Sequence, residues 1–536
     1  MLLDVRPDHL QIVRDILQKH VPQYEVWAFG SRAKWTAKEY SDLDLCIVSD
    51  KPLSFSVLGA MGEAFSDSDL PWKVDVVDWA TTSSSFRKII ERDKVVVKQR
   101  TLSLGDTVPF GTLFSLPQKN GLTRPKKVRG SGLPMVNMGE LFAHARINDI
   151  EMDLVPVSDN EKAYLLEPGD LLFARQSLVR EGSGQCSIFL GNSKPTVFES
   201  HLIRCRLNRQ ICNPEFYFNF FRSTIGRATM DTIIEQGAGA SGIRGSDLVN
   251  LQVPFPPLEI QDSIATTLAS LDDKITLLRE ANATLEAVAQ ALFKSWFVDF
   301  DPVRAKMEGR EPEGMNAETA ALFPDEFEVS ELGEIPTGWR VGTLGEISRN
   351  VRAGARPDEL TDETAYIGLE HMPRQSIALY DWDSASKVES GKSRFKKGQV
   401  LFGKLRPYFH KVGIAPLDGV CSTDILVIEP TSQMWHAFSV CHFSSKPLVE
   451  HATQLSNGAK MPRTNWSDLA NYRIVIPPNE LVLAFEGIVS SLFDPIPENV
   501  HQAKELAETR DTLLPRLMSG RLCIPQTIKL NEEAVA

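Results

Sequence analysis

Between residues 24 and 78 a few polar residues are spaced among apolar runs in a way that suits phosphate chemistry. The run YEVWAF leads into Gly30-Ser31-Arg32, and SDLDLCIV then sets Asp42 and Asp44 two positions apart, on one face of a strand. In KVDVVDW, Asp75 sits on a further strand and is expected to face the same side. Three carboxylates around one point make an oxygen-donor site suited to Mg²⁺, a hard ion that also takes substrate phosphates as ligands. Gly30 permits close approach of the backbone to a phosphate, and Ser31 with the free amides of a helix start can donate to it.

Positioning these groups needs alternating strands and helices. The pattern predicts helix over 7–19, strands over 24–29, 42–48 and 73–78, a short helix after Gly30, and helices over 54–65 and 84–92. Residues 1–100 therefore read as a small α/β domain. In order and spacing, GS, then DxD, then a third Asp resembles the minimal nucleotidyltransferases of the polymerase β superfamily. The resemblance implies nucleotidyl transfer from a nucleoside triphosphate, with Asp42 and Asp44 holding Mg²⁺, Asp75 completing the metal site or activating the acceptor, and Gly30 and Ser31 on the triphosphate. In GSRAKW, Trp35 stands where that family usually has glycine.

The chain of 536 residues is long enough for about three to five domains. No apolar run approaches the roughly 18 residues needed to span a bilayer and no signal-peptide pattern opens the chain, so a cytoplasmic protein without membrane contact is expected. Seven cysteines with no CxxC pair suggest buried free thiols. The net charge of −12 argues against nucleic-acid binding for the chain as a whole, but 17 of the 70 acidic residues fall in 258–338 against 6 basic ones. Residues 101–257, with 16 basic to 15 acidic, and 339–479, with 17 to 14, are left free to carry a local DNA-facing surface.

Most of the chain is an internal repeat. SDLVNLQVPFPPLEIQ from Ser246 matches SDLANYRIVIPPNELV from Ser467, PGDLLFAR (168–175) matches KGQVLFGK (397–404), and LGDTV at Leu104 matches LGEIS at Leu344. Each copy runs from a β-rich half into a helix. Ile264, Leu268, Leu271, Ile275, Leu278, Asn282, Leu285, Ala289, Leu292 and Trp296 keep heptad spacing with one polar position, Asn282. The second helix repeats the pattern from Phe485 to Leu517, and Pro495 and Pro497 must kink or break it. The expected fold is α+β multidomain: a nucleotidyltransferase-like domain (1–100), recognition domain 1 (101–257), a spacer helix (258–300), a linker (301–338), recognition domain 2 (339–479), a C-terminal spacer helix (480–524) and a tail (525–536). The two long helices form an antiparallel coiled coil. The aromatics Phe293, Trp296 and Phe297 are expected against a partner or the opposing helix end.

LEIQDSIATTLASLDDKI, ALFKSWFVDFDPVRAKMEG, GEIPTGW and TLLPRLMSGRL make residues 101–524 resemble the specificity (S) subunit of type I restriction-modification enzymes. The resemblance implies that each β-rich half reads one half of a bipartite site in double-stranded DNA, and that the helices set the gap and dock methyltransferase (M) subunits, with restriction (R) subunits joining the complex. From Ile264 to Trp296 the seam covers 32 steps, about 48 Å at helical rise or roughly 14 base pairs. Candidate DNA contacts are the basic residues of the loops: Lys119, Arg124, Lys126, Lys127, Arg129 and Arg244 in the first module. The second offers Arg349, Arg352, Arg356, Lys404, Arg406, Lys411, Lys460 and Arg463. No Walker A, methyltransferase, HExxH or GxSxG motif occurs, so the repeated region is read as non-catalytic. The alternatives are an active nucleotidyltransferase whose repeated region selects its target, and a scaffold that has lost DNA binding.

Overall fold

The computed structural model describes residues 3–522 apart from 23, 39, 50, 99–106, 238 and 457–460, and the side chain of Lys387. Contacts divide the chain into two units, Met1–Ser270 with Arg510–Ala536, and Leu271–Thr509.

In the first hundred residues the elements follow the expected order: α1 (Pro7–His20), β1 (Glu25–Phe29), α2 (Gly30–Ala33), β2 (Leu43–Val48), α3 (Phe55–Ser66), β3 (Val74–Asp78) and α4 (Ser84–Asp93). One strand, β4 (Val95–Lys98), goes unpredicted because VVVK is too short to show a period. The sheet order is β3-β2-β1-β4, with β2 and β3 parallel and β1 antiparallel to both of its neighbours. Alternation sorts the side chains onto two faces. Val26, Ala28, Leu43, Leu45 and Ile47 pack on Val13 and Leu17 of α1 and Met61 and Phe65 of α3, while Trp27, Phe29 and Cys46 meet Ile90 of α4.

The first recognition module folds around a five-stranded sheet in the order Phe114–Asn120, Leu202–Leu207, Asp170–Ala174, Cys186–Gly191, Arg146–Asn148. The aromatic helix Pro214–Arg222 buries Phe216, Tyr217, Phe218, Phe220 and Phe221 against it. The second module repeats this order in four strands, Ser348–Asn350, Ile425–Pro430, Val400–Gly403 and Val412–Ile414. Equivalent positions carry a polar cross-strand pair: Asp170 with Arg206 in the first copy (2.7 Å), Gln399 with Glu429 in the second (2.7 Å). The repeat is thus one topology with its polar groups exchanged.

The spacer helices are Leu258–Phe297 and, after a break at Asp494, Asn479–Phe493 and Pro495–Met518. The break falls at the predicted prolines: Pro495 and Pro497 open the second helix, where a missing N–H costs no intrahelical bond. The helices run antiparallel within each unit. Ile264, Ala265 and Leu268 share a core with Leu517 and Met518 in the first, and Ile275 and Leu278 share one with Ala503 in the second. Asn282, 1 % exposed, accepts from the Asn499 amide (2.8 Å) and donates to the Tyr380 hydroxyl (2.9 Å). Phe293, Trp296 and Phe297 lie against the opposing helix end, Trp296 with its ring centroid 5.8 Å from that of Phe485. Residues 301–338, read as a linker, are folded instead. Two short helices (Asp301–Met307, Ala317–Ala321) and a hairpin (Phe327–Ser330, Gly333–Pro336) bury Val303, Phe323 and Ile335 around Trp339. The apolar anchors there are too few and too unevenly spaced to show a period. Six cysteines are buried free thiols, and Cys523 lies outside the described residues.

Asn282→Ala removes the acceptor of Asn499 and the donor to Tyr380, and should lower stability by about 1–3 kcal/mol in denaturant titration. Changing Asn282 and Asn499 together to Leu should cost less than the two single changes summed.

Candidate functional site

The N-terminal carboxylates lie on the β2–β3 side of the four-stranded sheet. Parallel pairing puts Asp44 of β2 level with Asp75 of β3, and antiparallel pairing puts it level with Phe29, the residue before Gly30. Asp42 precedes β2 and is exposed. Burial raises the Asp44 pKa, and the neighbouring charges of Asp75 and Asp42 raise it further. Asp75 is ion-paired with Lys73. The other acid of KVDVVDW, Asp78, is buried and occupied, accepting from Leu53 N (2.7 Å) and Ala80 N (3.0 Å).

Gly30 has φ +76°, and a Cβ built there would stand 2.2 Å from Asp44 Oδ2. Glycine is therefore required twice, by the backbone and by the carboxylate beside it. The Ser31 carbonyl accepts from Lys34 N (3.2 Å) and Thr36 N (3.0 Å), closing a turn at whose apex Trp35 takes φ +58°. The position where the resemblance expects glycine is left-handed here and is held by a tryptophan. Arg32, which the motif reading left without a role, is buried over the Trp72 ring and donates from Nε (2.9 Å) and Nη2 (2.7 Å) to the Ser41 carbonyl. It fixes the backbone entering Asp42 and is a positioning residue; the Arg of GSR was the signal for it.

Hard carboxylate oxygens beside a glycine cradle are the right donors for a divalent ion. They do not yet converge: among the described residues no group of three or more His, Cys, Asp or Glu is close enough to hold a metal ion.

The predicted DNA contacts divide into two sets. Arg124 is gripped by Glu161 at 2.6 and 2.7 Å, which together with hydrogen bonds from Ser158 holds that carboxyl down at about 2. Arg129 pairs with Asp153 (2.7 Å), Arg244 with Glu235 (2.7 Å), Arg349 with Glu429 (2.6 Å), Arg356 with Glu359 (3.0 Å) and Arg463 with Asp424 (3.2 Å). Lys119 stands over the Tyr164 ring (4.0 Å), and Lys411 donates to the Leu369 carbonyl. Among the described residues Lys126, Lys127, Arg352, Lys404 and Arg406 show no ion pair, and Lys460 lies outside them. Sequence clusters count charge without its partner, which explains why six candidates turn out ion-paired. No helix among the described residues is long and apolar enough to cross a membrane.

Residues 10–102 match the family model "Nucleotidyltransferase domain", and residues 115–287 match "Type I restriction modification DNA specificity domain". A Haemophilus influenzae protein named "Probable protein adenylyltransferase MntA" is 56% identical over 98 residues, 18% of this chain and 86% of that protein. The type I restriction enzyme HindI specificity subunit of the same organism is 26% identical over 439 residues, covering 72% of this chain and 94% of that subunit. A crystal structure of the type I S subunit from M. genitalium covers 77% of this chain and 95% of its own, at 16% identity and a TM-score of 0.47. The chain belongs to the nucleotidyltransferase family through its first hundred residues, and most of the remainder is similar to type I restriction specificity subunits.

Gly30→Ala should cost about 1–2 kcal/mol for the left-handed backbone alone and displace Asp44, abolishing any thermal shift produced by Mg²⁺ with a nucleoside triphosphate. The raised Asp44 pKa means that its ionised form opposes folding. The penalty is therefore present at neutral pH and relieved as pH falls through that raised value. Asp44→Asn should be more stable than wild type near neutral pH, with the gain vanishing in acid, measured as paired melting curves.

Proposed function

We propose that this protein is the specificity subunit of a type I restriction-modification complex. Each recognition module reads one half of a bipartite site in double-stranded DNA, and the paired helices hold the gap constant. The observation that carries the reading is the repeat itself, one sheet topology built twice with different loops and different polar pairs. Two related but unequal modules would read two different half-sites, as the halves of a dimer read a palindrome. Of the candidate contacts, Lys126, Lys127, Arg352, Lys404 and Arg406 show no ion pair among the described residues and are available to phosphates. Arg124, Arg129, Arg244, Arg349, Arg356 and Arg463 would exchange a carboxylate for a phosphate on binding. Methyltransferase subunits would supply modification, and restriction subunits cleavage.

A second reading is supported by the N-terminal site: Mg²⁺-dependent nucleotidyl transfer, with the repeated region selecting the target. Asp42, Asp44 and Asp75 would hold the cation once Asp75 leaves Lys73, and the ion would supply charge neutralisation of the phosphates. Gly30 keeps the space beside Asp44 clear, Ser31 would donate to the triphosphate, and Arg32 holds the loop that carries Asp42. Like charge at Asp44 favours a bound cation, because each unit of positive charge there relieves repulsion that burial intensifies.

Co-expression with a methyltransferase subunit and sequencing of methylated bases should reveal a bipartite motif with a fixed gap, lost on disruption of either module. Asp42→Ala, Asp44→Ala and Asp75→Ala combined should leave that motif intact while removing nucleotide transfer. An absent motif with a stable complex would transfer the working role to the nucleotidyltransferase.

A further inference from the structure

A junction of three loops recurs in both modules at positions related by the repeat. In the first, the core strand Asp170–Ala174 delivers Arg175, whose N–H donates to the His201 carbonyl (2.8 Å) and whose carbonyl accepts from Ile243 N (2.9 Å). In the second, Val400–Gly403 delivers Lys404, whose N–H donates to the Asp424 carbonyl (2.8 Å) and whose carbonyl accepts from Thr464 N (3.1 Å). The same two backbone bonds thus clamp a basic residue at the same place. Both residues are half-buried, and neither shows an ion pair among the described residues.

Beyond the clamp the outgoing loop is zipped to the loop that follows the module's second helix. Gln176 and Ser177 pair with Gly242 and Ser241, and Leu405 bridges to Arg463. A Cβ at Gly242 would stand 2.8 Å from the Arg175 carbonyl, so the glycine is what lets the loops meet. The zipped loops hold out large apolar residues. Leu178 is 89 % exposed and Val179 58 % exposed in the first module, and Tyr408 is 50 % exposed in the second. Arg406 beside it is left-handed at φ +52°. Each junction combines a clamped backbone, a basic residue with no ion pair among the described residues, and exposed apolar tips that differ between copies. These are what a reader of base edges and thymine methyl groups needs.

We infer that this junction is the reading head of each module. Arg175 and Lys404 are its equivalent DNA anchors, and Leu178-Val179 and Tyr408 are residues by which the two half-sites differ. The inference rests on the specificity reading above and deepens it, since selection by charge clusters passes over Arg175 although PGDLLFAR aligns it with Lys404.

The test uses the full chain co-expressed with a methyltransferase subunit, with methylated bases sequenced genome-wide. Leu178→Ala with Val179→Ala, and separately Tyr408→Ala, should each relax one or two base pairs of a single half-site, about 10–100-fold in discrimination. The other half-site and the gap should stay unchanged, which also reports an intact fold. Arg175→Ala and Lys404→Ala should weaken duplex binding by the purified chain and lower its salt slope by about one. An unchanged motif and an unchanged slope in these variants, or both half-sites relaxing together, would overturn the reading head. A wild-type chain that yields no bipartite motif would instead overturn the specificity reading on which it rests.

Discussion

The amide pair of buried Asn282 and half-buried Asn499 is the constraint from which the helical part of the molecule follows. An antiparallel seam of Leu, Ile and Ala has many registers of similar energy, because apolar contacts are not directional. A buried amide has few, because out of register it loses its partner at full desolvation cost. Asn282 meets Asn499 and Tyr380 together, so one residue fixes both the helix register and the docking of the second module's Tyr380 segment. The same register brings Trp296 against Phe485 and closes the aromatic cluster to which Phe300 and Trp339 also belong.

On that frame the two modules divide conserved architecture from variable surface. Strand order, the aromatic helix or its counterpart, and the clamp around Arg175 and Lys404 are common to both. The polar pairs and exposed tips are not. Asp170 with Arg206 is charged, while Gln399 shares Glu429 with Arg349. Each arrangement satisfies its buried groups, so the sheet tolerates either and the loops are free to diverge.

The N-terminal domain follows a different economy. Its sheet gathers like charges on its β2–β3 side, with Asp44 level with Asp75 and raised in pKa by burial and by both neighbouring acids. Gly30 takes the left-handed backbone beside Asp44 at no steric cost, and Trp35 is left-handed in the turn that follows. Like charge gathered beside Gly30 is the arrangement on which the proposed nucleotidyl-transfer reading rests.

Much of this was readable in the residues themselves. Alternation in YEVWAF and SDLDLCIV defines the strands and their faces, the offset repeat predicts two copies of one fold, and heptad spacing with a lone Asn predicts a paired helix. All are local periodicities, and local periodicity survives without tertiary context. Four matters needed the tertiary structure. Residues 301–338 fold because a few scattered apolar side chains find Trp339, and β4 forms because β1 offers it an edge. Six of the arginines counted as DNA contacts are ion-paired with acids brought from up to 80 positions away in the chain. The match of PGDLLFAR with KGQVLFGK already pairs Arg175 with Lys404, but the backbone bonds that clamp both to segments distant in sequence appear only in the fold. Pairing across long separations has no period, so no window along the chain can display it.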